Sequence, residues 1–503
     1  MELHTVFLST LLLLATYIFL HISNRLFFKK NKTLPPGPYG LPLLGSLLTI
    51  GDRPHESLTK LAKQHGPLMT VKFGLVKIVI ASSAEMAKEI LQKNDQAFLG
   101  RPVPDAVTAE KGYELSMAWI SGGPQWKKLR RICNSQIFTA QRLDALQDVR
   151  HQMMEKMVER VSEASKAGET VHIGKLVFAT TLNLLSNTMF SVDVLDPKSE
   201  AVEKLKVLIA KIMELAGKPN LADYFPFLKP FDPQGIRREI KVSYDRLHEL
   251  VEEIIDQRVK RRRSDASGRV GDFLDVLVDY MEDEGPDRLE LLDVNLLLMD
   301  LFIGGTDTTT TTLEWAMTEL LHHPEVLATA KQELSQHISP GKPVQEPDIV
   351  RLPYLEAVIK ETMRLHPTAP LLLPHRAEQD VEICGYTIPK HTQIFVNVWS
   401  IFRDNEYWNE PIIFKPERFL ESEVDFRGRD FSYTPFSAGR RICPGLNLGV
   451  RMVSLMLATL IQNFDWKLPN GMAPEEMDMN DKFGVTLQKA KPLLAIPIST
   501  ARS

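Results

Sequence analysis

From Val6 to Ile22 the chain reads VFLSTLLLLATYIFLHI, seventeen residues without a charge, and this run divides it into a span and a body. At about 1.5 Å per residue a helix of that length reaches roughly 25 Å, and Leu26 to Phe28 would carry it across an apolar layer of about 30 Å. A cleaved signal peptide is the competing reading. Against it, no lysine or arginine precedes the run and no small-x-small site comes before Arg25. The sequence therefore predicts an uncleaved single-pass membrane anchor with a basic flank over residues 1–30. Arg25, Lys29, Lys30 and Lys32 follow the span, and positive charge on that side holds everything downstream in the cytosol. The sequon Asn31-Lys32-Thr33 would then never meet a glycosylating enzyme. Next comes LPPGPYGLPLLGS, Leu34 to Ser46, whose four prolines and three glycines predict a stiff, extended connector.

The body is long enough for several domains by length alone. Its formal charge of -4 supplies no basic field for nucleic acid. Cys133, Cys384 and Cys443 form no CxxC pair, which argues against a disulfide framework or a structural zinc site and suits a reducing compartment. Alternation from Leu68 to Ser82 predicts a β-hairpin, helical periodicity dominates afterwards, and strand-like runs return between Val381 and Ser400. The expected class is mainly α with small β-sheets. The run KRRR, Lys260 to Arg263, has no interleaved aromatic residues and is read as a solvated loop after an amphipathic helix.

Two stretches carry chemistry. In PFSAGRRICPG, Pro435 to Gly445, a lone cysteine is followed by Pro444, which suits a first helical position, and then by an apolar run of helical period. Helix-terminal N–H groups favour thiolate, so Cys443 reads as a metal ligand; a buried cysteine packed as a small hydrophobe fits the local pattern equally well. In GGTDTTTTT, Gly304 to Thr312, glycine and β-branched threonine interrupt a long apolar helix, at up to about 1 kcal/mol each relative to alanine. Threonine hydroxyls bonding the carbonyl one turn back, or a local widening or kink, would compensate.

Phe436, Gly439, Arg441, Cys443 and Gly445 match the haem-binding signature of the cytochrome P-450 monooxygenases, and the chain resembles that family along essentially its whole length. PPGP, WKKLR at Trp126 to Arg130, GGTDTT at Gly304 to Thr309, ETMR at Glu361 to Arg364 and PERF at Pro416 to Phe419 follow in the family's order. The resemblance implies the cytochrome P-450 fold, a single haem domain over residues 31–503 with a hinge at 34–46, behind an anchor in the endoplasmic reticulum membrane. It implies Cys443 as the axial thiolate of haem b, with Gly439 and Gly445 letting backbone N–H groups approach the sulfur. Thr308 would hydrogen-bond oxygen at the haem and Asp307 would link solvent protons to it. Glu361, Arg364 and Arg418 would form a buried structural triad. Trp126, Arg130, His375 and Arg441 would meet the haem propionates, Arg376 being the alternative to His375. Lys127, Lys128 and Arg131 would dock NADPH-cytochrome P-450 reductase, the flavoprotein that delivers electrons from NADPH.

The segments that line the pocket in this family are mostly apolar here, which implies a lipophilic small molecule beside O2. Asp300, Gly304, Leu371 and Val485 are candidate pocket residues, and Asp300 would accept a hydrogen bond from a ligand hydroxyl, unless it is an acid packed by its helix or by solvent. FLGRPVPDAV with GGTDTTTTTLEWAMTEL resembles a plant terpenoid-oxidising branch, implying a mono- or diterpenoid. Two departures stand out: Gly304 and Gly449 occupy positions where the family usually has alanine. Oxidation of a phenylpropanoid, flavonoid or alkaloid, a reductase-independent haem-thiolate isomerase or dehydratase, and a non-catalytic haem or lipid-binding protein are the alternatives.

Overall fold

The computed structural model describes residues 34–191, 200–264, 270–339 and 341–499, with no side-chain description for 200–206. The expected anchor at Val6–Ile22 and its basic flank lie outside the described residues. Among those described, no helix is long and apolar enough to cross a membrane.

Seven helices frame the site: α1 (Pro124–Ile132), α2 (Gln147–Ala167), α3 (Ile173–Phe190), α4 (Ile236–Ser264), α5 (Leu291–His322), α6 (Pro353–Leu365) and α7 (Leu446–Asn463). Helix α5 is apolar or threonine-rich on every face, a pattern only an interior helix tolerates, and it packs against α3, α4, α6 and α7. It starts at a reciprocal cap in which the Glu290 N–H donates to Asp293 at 3.0 Å and Glu290 accepts in return. The sheet is small, β1 (Leu68–Phe73), β2 (Val76–Ala81), β3 (His375–Arg376) and β4 (Gln393–Val396). β1 and β2 are the expected hairpin, β4 runs parallel to β2 with Ile394 opposite Val79, and β3 closes the order β1-β2-β4-β3.

Three local expectations are refined or corrected. The stiff, extended connector is docked on the body and not free-standing: the Thr70 N–H donates to Pro36 at 2.8 Å and the Ser46 N–H to Lys72 at 2.7 Å, so it lies along β1. A Cβ at Gly37 would stand 1.8 Å from the Thr70 carbonyl oxygen, which explains the glycine within PPGP. Lys260 to Arg263 continue α4 and are not a loop; basic side chains in a last helical turn complement its dipole, and Arg262 bonds Asp279 at 2.7 Å. Past Val396 the strand-like run ends, and Val398–Ile401 turn into a helix capped by Asn397.

Candidate active site

The Cys443 loop is held by backbone. Its N–H donates to Phe436 at 3.0 Å, and Gly439 sits at φ +65, where a Cβ would meet the Leu91 carbonyl oxygen at 1.8 Å. Helix α7 begins at Leu446 with Gly445 as its cap, so Pro444 lies in the turn before the helix and not at its first position. The N–H groups of Gly445 and Leu446 lie close enough to the sulfur to favour its thiolate form. Burial nevertheless pushes the Cys443 thiol up, and these amides with the Arg130 charge offset it only in part. The expected thiolate preference therefore does not arise from the helix end alone; a bound cation would supply the missing charge.

Beside the loop is a set of buried cations. Arg441 spreads its guanidinium over the carbonyls of Leu99 (2.7 Å), Met117 (3.2 Å) and Ile120 and stacks 4.7 Å from the Trp126 ring centroid. Arg130, on α1, donates to the Ile442 carbonyl. Arg101 donates to Leu373 and Pro374 at 2.6 and 2.8 Å. Burial and mutual repulsion lower Arg101 to about 9, and burial with the Arg130 charge lowers Arg441 to about 10. His375 receives no charge there, because burial and then the Arg101 charge hold it well below the usual imidazole range. Its Nδ1 meets the Phe98 carbonyl at 2.7 Å while its Nε2 is buried without a partner. Adjacent strand residues point to opposite faces: Arg376 turns to Ser121 (2.9 Å) and Glu378 (3.3 Å), leaving His375 on the side of Arg101 and Arg441. Arg101 was not singled out from sequence for this role. Nothing in its spacing ties it to Pro374 across 273 positions.

Across from this cluster, α5 stays α-helical through GGTDTTTTT without widening. The hydroxyls of Thr306, Thr308, Thr310 and Thr312 each donate to the carbonyl four residues back, at 2.7 to 2.9 Å. The two glycines do different work. A Cβ at Gly305 would meet Leu185 of α3 at 2.9 Å, whereas one at Gly304 would meet nothing within 4 Å. Gly304 is exposed and Thr308 half-buried in a helix otherwise sunk in the core, so this face borders an internal opening. Asp307 does not share that face. It is buried and accepts from Thr486 and, at 3.0 Å, Gln488; burial raises it despite these donors. No hydrogen bond joins it to Thr308 among the described residues.

The remaining expected residues are placed as follows. Glu361 is fully buried on α6 and accepts from Arg364 (2.7 and 2.9 Å), Arg418 (3.0 Å) and the Lys415 N–H (2.8 Å). Arg364 also donates to the carbonyls of Phe402 and Pro411 at 2.6 and 2.7 Å. Leu371 packs with Met69 and Ile80 under the hairpin, and Val485 lies half-buried against the main core. Asp300 accepts from Ser116 (2.9 and 3.0 Å) and Ala118 (3.4 Å), so it is not a solvated acid: it tethers the loop before α1. On α1, Lys127 and Arg131 are exposed and line an open cleft of about 430 Å³ with Trp126 and Arg130, while Lys128 donates to Arg288 and Arg131 pairs with Asp287.

A sulfur ringed by amides, buried cations without carboxylate partners, an orphaned imidazole nitrogen and an open helix face fit a dianionic porphyrin with a thiolate-bound iron. The Cytochrome P-450 family model matches residues 35–495. The chain belongs to the cytochrome P-450 family. It is 49% identical over 479 residues to geraniol 8-hydroxylase of Swertia mussotii, covering 95% of this chain and 96% of that one. Geraniol 8-hydroxylase of Catharanthus roseus is 47% identical with 99% of both chains covered, and drimenol monooxygenase of Persicaria hydropiper is 45% identical with 93% and 92% covered. As a cytochrome P-450 the protein is a monooxygenase that uses haem b, O2 and electrons passed from NADPH by a reductase to act on a small molecule.

Proposed function

We propose that this cytochrome P-450 hydroxylates or further oxidises a mono- or diterpenoid. The observation that carries the substrate class is end-to-end likeness to proteins named for terpene alcohols, geraniol and drimenol. In this reading Cys443 holds the iron as thiolate, within the loop braced by Phe436, Gly439 and Gly445. Trp126, Arg101, Arg130 and Arg441 receive the propionates, and His375, whose Nδ1–H is given to Phe98, joins them once a propionate's charge draws a proton onto its unpartnered Nε2. The haem supplies the oxygen-activating chemistry. Thr308, whose Oγ1 already orders itself on the Gly304 carbonyl, holds a proton donor at the open face of α5. Asp307, oriented by Thr486 and Gln488 on the neighbouring side of the helix, is the carboxyl that exchanges protons with solvent there. Glu361, Arg364 and Arg418 hold the framework and touch no reactant. Lys127 and Arg131 present charge to the reductase beside the cleft that leads to Arg130.

The same proposal places the chain in the endoplasmic reticulum membrane, anchored once through residues 1–30, with 31–503 in the cytosol. Support comes from an apolar face near the start of the described chain. Tyr39, Leu43 and Leu48 are 95%, 66% and 72% exposed, and Phe227 and Phe231 lie on a segment tied to the hairpin tip by Leu75 donating to Tyr224 at 2.9 Å. The test of function is direct: reconstitute the full chain with reductase, feed a panel of mono- and diterpenes, and analyse products by mass. A product one oxygen heavier, dependent on NADPH, is expected. NADPH-independent isomerisation, or oxidation of phenolic or alkaloid substrates alone, would overturn the reading.

A further inference from the structure

Asp300, Gly304 and Thr308 stand four residues apart and so share one face of α5, the face that Gly304 leaves open. The loop that Asp300 tethers through Ser116 and Ala118 also carries Glu110, immediately after the turn Val107–Ala109. Glu110 is 5% exposed, yet its carboxyl makes no hydrogen bond among the described residues. From the other side, α4 contributes Tyr244, 4% exposed, whose phenol likewise has no hydrogen bond among the described residues and stands within electrostatic reach of both carboxyls. Buried residues normally find partners for their polar groups. Two bare groups from different elements, converging on a third at an open helix face, are the outline of a ligand's polar end.

We propose that Glu110, Asp300 and Tyr244 together seat the hydroxyl group of an alcohol substrate, one helical turn from Gly304. The proposal rests on the terpenoid reading above and narrows it to terpene alcohols. Burial and then the Asp300 charge push Glu110 up to about 9, while Asp300 is raised by burial to about 6 against the pull of Ser116, Ala118 and Met117. Near neutrality the pair therefore offers one donor and one acceptor. An alcohol donates one hydrogen bond and accepts another; a hydrocarbon does neither, and a carboxylate adds a second negative charge. Tyr244 supplies a further donor. Asp300 keeps lone pairs to spare, since a carboxylate has about four acceptor sites. Eight residues separate Asp300 from Thr308, about 12 Å along the helix, so a substrate held by its hydroxyl presents a remote carbon at Thr308.

The test is a titration of the reconstituted haem protein, reading the spin-state change in its absorption spectrum. The probes are geraniol and the acyclic diene that lacks only its hydroxyl. The wild type is expected to bind the alcohol about ten- to a hundredfold more tightly. Glu110→Met and Tyr244→Phe should each remove much of that preference without changing affinity for the hydrocarbon, while Glu110→Gln, whose amide still donates, should keep most of it. Should Glu110→Met fail to take up haem, Tyr244→Phe carries the same comparison. Equal weakening of both probes, or an unchanged preference in both variants, overturns the anchor. Equal binding of alcohol and hydrocarbon by the wild type sinks the anchor alone, whereas no response to either probe takes the terpenoid reading down with it.

Discussion

Glu361 and Glu110 are both buried carboxyls, yet Glu361 accepts from two arginines and a backbone N–H while the Glu110 carboxyl makes no hydrogen bond among the described residues. The first belongs to the side of the molecule that carries Cys443, the second to the side that α5 and the loop before α1 enclose. Low dielectric makes a satisfied network rigid and an unsatisfied one costly. In this pair the saturated carboxyl belongs to the framework and the unsaturated one to the proposed binding face. His375 Nε2 and the carboxylate-free arginines around it follow the same pattern on the haem side.

Breaking the saturated network should have the largest effect. Glu361→Ala leaves Arg364 buried without its partner, a loss of about 3–5 kcal/mol, and is expected to yield protein without haem, measured as the ratio of Soret to protein absorbance. A normal ratio would place Glu361 outside the framework. Thr308→Ala sharpens the contrast from the other side: among the described residues its hydroxyl bonds only within its own helix, so folding and haem content should match wild type. NADPH oxidation should instead be diverted to peroxide, and unchanged coupling of NADPH to product would count against the role. A smaller effect is expected from Lys127→Glu with Arg131→Glu, which should slow the first reduction by reductase, more at low ionic strength than at high; stopped-flow reduction at the wild-type rate would contradict it. The smallest concerns the paired glycines. Gly304→Ala meets open space and should raise stability by up to about 1 kcal/mol, whereas Gly305→Ala must displace Leu185 and should gain less or lose. Equal thermal shifts in the two variants would remove the distinction.

Much of this was legible in the sequence because it depends on local spacing. Glu361 and Arg364 lie three apart and meet on one helix face, the hairpin follows alternation from Leu68, and the Cys443 loop is contiguous. What stayed hidden depends on side chains brought together from far along the chain. Arg101 reaches Pro374, Thr486 closes over Asp307, and Asp300 holds Ser116. The resemblance pairs Asp307 with Thr308, but on a helix neighbours point about 100° apart, and the fold gives Asp307 other partners. Helix bounds also moved: charge alone made Lys260 to Arg263 look like a loop, whereas a last turn accommodates it.

The central claim is sulfur ligation of haem by Cys443, and the measurement that bears on it most directly is the absorption spectrum of the reduced carbon monoxide complex, wild type beside Cys443→Ser. The wild type should show the long-wavelength Soret band of a thiolate-ligated haem and the variant should lack it. A variant that retained that band, or a wild type whose spectrum reported nitrogen ligation, would contradict the account.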